Sequence, residues 1–185
     1  MPPTKEQTET ARRLLDDLVA SASPLPWRFK EIDRWPATAA ILKADPPTQI
    51  AMVRECIDRV ARMRDRLGPP RVKDVRFRYM NLYHEVGFPR ESWLVVPPLL
   101  RRKLPWTSED LEYLVNRTAD VGMVSTFSLP FLPSLVGVVQ RALRSCPMTE
   151  KLRKGLVRLR KATEWRNYRA KERRLCEQLS TLAES

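Results

Sequence analysis

The residue types best suited to chemistry are concentrated near the C-terminus, in residues 151–174, which read KLRKGLVRLRKATEWRNYRAKERR. This segment holds eleven Lys or Arg and two Glu, a net charge of +9, whereas the other 161 residues carry 23 basic and 20 acidic side chains, a net of only +3. Cationic side chains neutralise phosphates and release the counterions around them. The pattern predicts an anionic partner: nucleic acid, an acidic protein surface or an anionic membrane.

Two aromatic residues lie within the basic run and add a second chemistry to it. Trp165 and Tyr168 are suited to stacking on unpaired bases, while Arg166 and Arg169 are suited to reaching phosphates. The competing interpretation is a solvated or protein-facing helix, because no helix-turn-helix, zinc-finger or RNA-binding signature accompanies the charge. The predicted binding residues for nucleic acid or an acidic partner, including a second cluster before Pro105, are Lys151, Arg153, Lys154, Arg158, Arg160, Lys161, Trp165, Arg166, Tyr168, Arg169, Lys171, Arg173, Arg174, Arg101, Arg102 and Lys103.

The apolar residues of this C-terminal region change face along the helix. Leu152, Leu156 and Leu159 cluster on one side, whereas the last leucines lie on roughly the opposite side at helical spacing. Either the helix breaks near Thr163, or one continuous helix leaves the body. The second face then packs on the chain's own N-terminal helix, a second copy or a different protein. The predicted partner helix face consists of Leu175, Leu179 and Leu182.

The sequence favours a non-catalytic chain. His84 is the only histidine, and the chain has no HExxH motif, no phosphate-binding glycine loop and no GxSxG motif. No familiar spacing of metal ligands occurs. We therefore expect no catalytic residue, no metal site and no cofactor.

A cytosolic compartment is expected from the cysteines and the N-terminus. Cys56, Cys146 and Cys176 are an odd number of cysteines, and the first residues are polar rather than a secretory signal. Residues 121–140 carry no charge and approach the length of a membrane span. Pro130 and Pro133 interrupt that stretch, so we expect a loop followed by one buried helix, and no membrane span.

An all-α fold is predicted, because Gly is scarce, Pro is frequent and no strand pattern occurs. Asp45 can cap a helix whose first turn contains Pro46 and Pro47, and Thr107 and Thr149 can cap two later ones. The helix after residue 90 is expected to kink or split at Pro97-Pro98. The expected helices cover residues 4–20, 36–44, 46–67, 72–86, 91–103, a stretch after Thr107, 133–143 and a stretch after Thr149.

A repeat is visible within this layout. Residues 104–115, LPWTSEDLEYLV, align with residues 146–157, CPMTEKLRKGLV, at an offset of 42, and the preceding helices begin near residues 46, 90 and 133. Helix pairs at this period resemble HEAT and armadillo-type repeats, whose units are about 40–47 residues long. The resemblance implies that neighbouring pairs stack into a short α-solenoid to bury their apolar faces.

The predicted organisation has three parts. An N-terminal helix and a Pro-rich entry occupy residues 1–44, helical-hairpin repeats occupy 45–162, and a basic C-terminal helix, packed on the body or on a partner, occupies 163–185. A compact irregular helical bundle is the alternative architecture. Some HEAT-like proteins act on DNA bases, but no motif carries a catalytic residue over to this chain.

The predicted function is that of a non-catalytic helical-repeat adaptor that binds another macromolecule. The alternative is a nucleic-acid-binding accessory protein that uses residues 151–174. A protein partner is expected in the first case and nucleic acid in the second, with self-association as a further possibility because of the changed apolar face.

Overall fold

The computed structural model describes residues 2–21, 36–67, 90–122, 132–164 and 170–184, with some side chains at helix ends left out. The described residues form eight α-helices and no strand, which confirms the all-α fold class. The predicted helix over 72–86 and the Pro-rich entry lie outside the described residues. The helices are α1 (Lys5–Ser21), α2 (Pro36–Lys43), α3 (Pro46–Leu67), α4 (Arg90–Arg101), α5 (Ser108–Gly122), α6 (Leu132–Ala142), α7 (Glu150–Glu164) and α8 (Ala170–Glu184).

The start of α3 is set by the side chain of Asp45. Its carboxylate accepts a hydrogen bond from the Thr48 backbone N–H at 3.0 Å and a second one from the Thr48 hydroxyl. These bonds lower the pKa of the Asp45 carboxyl, with the Thr48 hydroxyl as the largest cause. Pro46 and Pro47 occupy the first turn, where a missing N–H costs no intrahelical bond. The predicted beginning of this helix is therefore confirmed.

Threonine caps begin α5 and α7 in the same way. The Thr107 hydroxyl accepts from the Asp110 N–H at 3.2 Å, and the Thr149 hydroxyl accepts from the Leu152 N–H at 3.1 Å. The Asp110 carboxylate reaches back to the Thr107 N–H at 3.2 Å, which completes a reciprocal cap. These two caps are equivalent positions of the 42-residue offset, so the offset marks equivalent helix starts.

The helices pack in two rows. In the first, called the odd row, α1 contacts α3, α3 contacts α5 and α5 contacts α7. In the second, called the even row, α2 contacts α4, α4 contacts α6 and α6 contacts α8. Contacts between α1 and α2, α3 and α4, and α7 and α8 join the rows. This order of neighbours agrees both with stacked helical hairpins and with a compact helical bundle, the two predicted architectures.

One continuous apolar core contains residues from all eight described helices. It includes the predicted inner faces of α3 and α5, with Ile57 and Leu114 at most 1% exposed. The even row contributes strongly through α6, in which six of eleven residues are buried. None of the described helices is both long enough and apolar enough to cross a membrane.

The helix α4 continues through Pro97 and Pro98, so of the two expected outcomes, a kink or a split, the split does not occur. The neighbouring side chains of Val96 and Leu99 are fully buried in the core. Because α4 packs on α3 and α6, its burial compensates for the backbone hydrogen bonds that the two prolines cannot donate.

The helices α7 and α8 are antiparallel neighbours rather than one continuous helix. The Arg153 side chain donates to the Ala183 carbonyl at 3.2 Å, and the Arg160 side chain donates to the Ser180 hydroxyl at 3.1 Å. Leu156 of α7 and Leu179 of α8 belong to the same core. The change of apolar face along the sequence therefore corresponds to a reversal of chain direction.

The Thr149 cap offers a test of this packing, because its hydroxyl also donates a hydrogen bond to the Glu112 carboxylate of α5. We expect Thr149→Ala to lower the free energy of unfolding by about 1–2 kcal/mol, measured by urea denaturation. Thr149→Ser should retain most of the stability. Thr181→Ala, at an exposed position within α8, is the matched control and should change stability by less than about 0.5 kcal/mol. Equal losses in both alanine variants would contradict the assignment of Thr149 as a cap.

Candidate cationic surfaces

Charged side chains join the helices of the odd row, beginning with α1 and α3. The Glu55 carboxylate, only 5% exposed, accepts from Arg62 at 2.6 Å, from Arg12 at 3.0 Å and from Arg59 at 3.3 Å. Burial alone would raise the pKa of Glu55, but the hydrogen bonds from Arg12 and Arg62 outweigh it and hold the pKa below its usual value. Glu55 therefore holds three arginines in structural contacts.

The contact between α3 and α5 repeats this arrangement. The Asp58 carboxylate accepts from Arg117 at 2.9 Å and from the Tyr113 hydroxyl. Arg54 donates to Asp110 at 3.0 Å, and its guanidinium carbon lies 4.0 Å from the centre of the Tyr113 ring. Burial and the hydrogen bond to Asp58 raise the pKa of Tyr113 to about 12. The charges at this contact are thus neutralised within the protein.

The contact between α5 and α7 involves residues of the predicted binding segment. Lys151 pairs with Glu112 at 3.3 Å, and Arg158 bonds the Asp120 carboxylate and the Asn116 amide oxygen, the latter at 3.1 Å. Gly155 permits the close approach, because an added Cβ would lie 2.8 Å from the Asn116 side-chain nitrogen.

The remaining cations of α7 point in several directions. Arg153 and Arg160 bond α8, as described above, and Lys154 pairs with Glu150 one turn earlier at 3.5 Å. Lys161 is exposed and has no ion pair with a described side chain. Because α7 lies between α5 and α8, its charges are divided between two contacts and the solvent instead of forming one surface.

Part of the predicted binding segment cannot be placed. Trp165, Arg166, Tyr168 and Arg169 lie outside the described residues, and the side chains of Lys171 and Arg173 are not described. Arg174 is exposed in the first turns of α8. The binding role of these residues stays a prediction.

The predicted partner helix face lies against the chain's own core. Leu179 is 1% exposed, while Leu175 and Leu182 are partly buried against the same core. These leucines hold α8 on the body, which was one of the two placements expected for the C-terminal segment.

The second predicted cluster, Arg101–Lys103, lies at the C-terminal end of α4 and contacts the end of a neighbouring helix. Arg102 donates to the Leu42 carbonyl of α2 at 2.9 Å, and Arg101 donates to the Pro97 carbonyl of its own helix at 3.1 Å. Arg141 of α6 donates in turn to the Leu100 carbonyl of α4 at 2.8 Å. These bonds place the C-terminal ends of α2, α4 and α6 at the same edge of the even row.

We call this surface the cationic edge; it consists of Lys43, Arg101, Arg102, Lys103, Arg141 and Arg144, all exposed. No ion pair between described side chains includes any of these six residues, whereas the ion pairs between helices join members of the odd row. Residues 36–44, 93–107 and 132–149 contain no Asp or Glu. The nearest carboxylate along the chain is that of Asp45, which caps α3.

Of the six residues of this edge, the predicted binding residues did not include Lys43, Arg141 and Arg144. The available signal was the 42-residue offset, which aligns Arg102 with Arg144 and so places basic residues at equivalent loops. Lys43 carries the same signal, because it also stands shortly before the cap of an odd-row helix.

Among the described residues no cluster of three or more His, Cys, Asp or Glu could hold a metal ion. Cys56 is buried in the core, and the Cys146 thiol donates to the Trp106 carbonyl at 3.2 Å. His84 lies outside the described residues.

No protein-family model, no curated protein and no solved structure matches this chain. The resemblance to HEAT and armadillo repeats therefore stays a prediction, and the surfaces are interpreted from their own geometry.

The lowered pKa of Glu55 predicts a pH-dependent contribution to stability. A carboxyl whose folded-state pKa is depressed stabilises the fold at pH above its unfolded-state value of about 4.3, and this stabilisation is lost as the pH falls through the folded-state pKa. We expect Glu55→Gln to lower the free energy of unfolding by about 1–3 kcal/mol at neutral pH, and by less at about pH 3. Urea denaturation at both pH values measures this.

The exposed pair of Glu9 with Lys5 provides the control for Glu55. We expect Glu9→Gln to change stability by less than about 0.5 kcal/mol at either pH. A Glu55→Gln effect of the same size at both pH values would contradict the assigned role.

A charge reversal in α7 distinguishes a cation that makes contacts within the fold, Arg158, from one that has no ion pair with a described side chain, Lys161. We expect Arg158→Glu to lower the free energy of unfolding by about 1 kcal/mol, because it loses the bond to Asn116 and places a carboxylate against Asp120. Lys161→Glu, the same change three residues further on, should have an effect near zero. Thermal unfolding at low salt measures both, and equal effects would show that the Arg158 contacts contribute nothing specific.

Proposed function

We propose that this chain is a non-catalytic helical-repeat adaptor that binds another macromolecule, and that the contact is made mainly through charge. The cationic edge carries this proposal. It presents six basic side chains from three helices on one surface, without a neutralising partner among the described side chains. A surface of one sign attracts partners of the other sign and speeds their association.

The groups with shifted pKa values support a structural role for the odd row. Asp45 caps α3, Glu55 joins α1 to α3, and Tyr113 and Arg117 share Asp58 between α3 and α5. Shifted pKa values often mark reactive groups. Here each shift is explained by a cap or a contact between helices, which supports an adaptor rather than an enzyme.

The alternative function, nucleic-acid binding through residues 151–174, has weaker support in its described part. Lys151 and Arg158 face carboxylates of α5, and Arg153 bonds the end of α8. These contacts reduce the charge that the segment offers to a partner. The described contacts do not weaken this alternative at Lys161, at Arg174 or at residues 165–169.

The proposal predicts that the chain co-migrates with a partner in extracts of its own cells. We expect size-exclusion chromatography of a low-salt extract to place it well above its 21.6 kDa, and raised salt to return it to that position, because screening weakens contacts between exposed charges. A nuclease-treated extract distinguishes a nucleic-acid partner from a protein.

Two comparisons complete this experiment. Purified protein run alone at the same salt measures self-association, which would otherwise mimic a partner. Migration as the free chain in an untreated low-salt extract would overturn the proposal.

A further inference from the structure

We infer that the cationic edge binds the phosphate backbone of double-stranded nucleic acid without reading its sequence. This inference rests on the proposed binding function and names both the partner and the surface. It moves the predicted nucleic-acid contact from residues 151–174 to the C-terminal ends of α2, α4 and α6.

The edge is continuous because hydrogen bonds connect its members from helix to helix. Arg102 reaches the end of α2 beside Lys43, and Arg141 reaches the end of α4 beside Arg101. Adjacent packed helices lie about 8–10 Å apart, so three helix ends span roughly 20 Å. That length covers several successive phosphates, since a duplex carries about one charge per 1.7 Å of its axis.

The bonds to the helix-end carbonyls leave the charge of the edge and many of its hydrogen-bond donors available to a partner. The Gln49 amide already donates to the Ala44 and Leu42 carbonyls at 2.8 and 3.1 Å, so it closes the end of α2 together with Arg102. A guanidinium has five N–H donors, so Arg102 and Arg141 retain donors for a phosphate after one bond to a carbonyl. Lys43, Lys103 and Arg144 make no side-chain hydrogen bond to a described residue.

The carboxylates around the edge lie at its borders. Asp45 is occupied by Thr48 at the start of α3, and Glu150 pairs with Lys154 at the start of α7. Glu184 ends α8, one helix beyond α6, and marks where the cationic edge stops. Between these borders the charged side chains that the structure describes at the edge are all basic.

The surface chemistry favours nucleic acid over a protein partner. Protein interfaces depend on buried apolar and aromatic groups at their centre, whereas nucleic-acid interfaces are polar and strongly positive. Among the described residues the exposed large apolar side chain is Val19, which belongs to α1 in the other row. Four of the six edge cations are arginines, whose planar guanidinium matches a phosphate in two-point contact.

The same surface favours a duplex over a single strand. Single-strand binding relies on exposed aromatic rings on which bases stack. Of the aromatic side chains that the structure describes, Trp106 is 9% exposed and Tyr113 is half-buried against Asp58 and Arg54. With its described side chains the edge therefore offers contacts to phosphates and no stacking platform.

The test is equilibrium binding of the full chain to fluorescent DNA and RNA duplexes of unrelated sequence, between about 50 and 200 mM salt. Six phosphate contacts predict a loss of affinity of about 10³-fold over this range. We expect K43Q/K103Q/R144Q to reduce the slope of log affinity against log salt by about 3, because each lost contact removes about one released counterion. These three residues are chosen because their side chains make no hydrogen bond or ion pair with a described residue.

The control is R13Q, which removes one charge from an exposed position of α1 outside the edge and outside the predicted binding residues, and its change in slope is compared per charge removed. Both variants should keep the thermal unfolding of the parent chain. The control should keep the parent salt slope, and duplexes of different sequence should compete equally. This combination would support the inference.

Four other results would overturn it. Equal loss of slope per charge removed in both variants would show attraction by net charge alone. Tighter binding to single strands, or binding to phosphatidylserine vesicles but to no duplex, would assign the charge to a different partner. Binding to poly-glutamate but to no duplex would indicate an acidic protein partner. The proposed adaptor function would then still hold, because the co-migration experiment with nuclease-treated extract tests it separately.

Discussion

The ion pairs of the odd row follow from the burial of two carboxylates, those of Glu55 and Asp110, at contacts between helices. Their side chains are 5% and 1% exposed. A buried carboxylate without a partner costs several kcal/mol, so each requires a cation from its surroundings. Arg54 meets this need for Asp110, and three arginines surround Glu55. Once these carboxylates are buried, Arg12, Arg54, Arg59 and Arg62 are committed to contacts within the fold.

The even row satisfies a different constraint. The helices α2, α4 and α6 pack on their row neighbours, and their described central side chains carry no charge. Charge is tolerated where the helices end and reach solvent, and cations are favoured there because the C-terminal end of a helix carries a partial negative charge. The cationic edge thus arises partly from helix capping. Capping accounts for Arg101, Arg102 and Arg141, whereas Lys43, Lys103 and Arg144 add charge that no helix end requires.

Local features of this fold were predictable and long-range ones were not. The Asp45, Thr107 and Thr149 caps and the full length of α3 follow from residues a few positions apart, so the sequence predicts them well. The pairing of Arg158 with Asp120 joins two helices that only packing brings together, and no spacing rule indicates it. The same holds for α4, where burial outweighs the tendency of Pro97-Pro98 to end a helix. The cationic edge was partly predictable. The 42-residue offset aligns Arg102 with Arg144 and so predicts that both stand at equivalent helix ends, but it does not predict the distance between them.

Charge that is concentrated in sequence need not be concentrated in space. Residues 151–174 hold a net charge of +9, yet α7 lies between α5 and α8, and carboxylates of α5 neutralise part of its charge. The edge gathers fewer cations, from positions as far apart as Lys43 and Arg144, but no ion pair with a described side chain neutralises them. A polyanion responds to the charge that remains after internal pairing. The stack of helices, rather than the density of basic residues along the chain, therefore determines which surface such a partner meets.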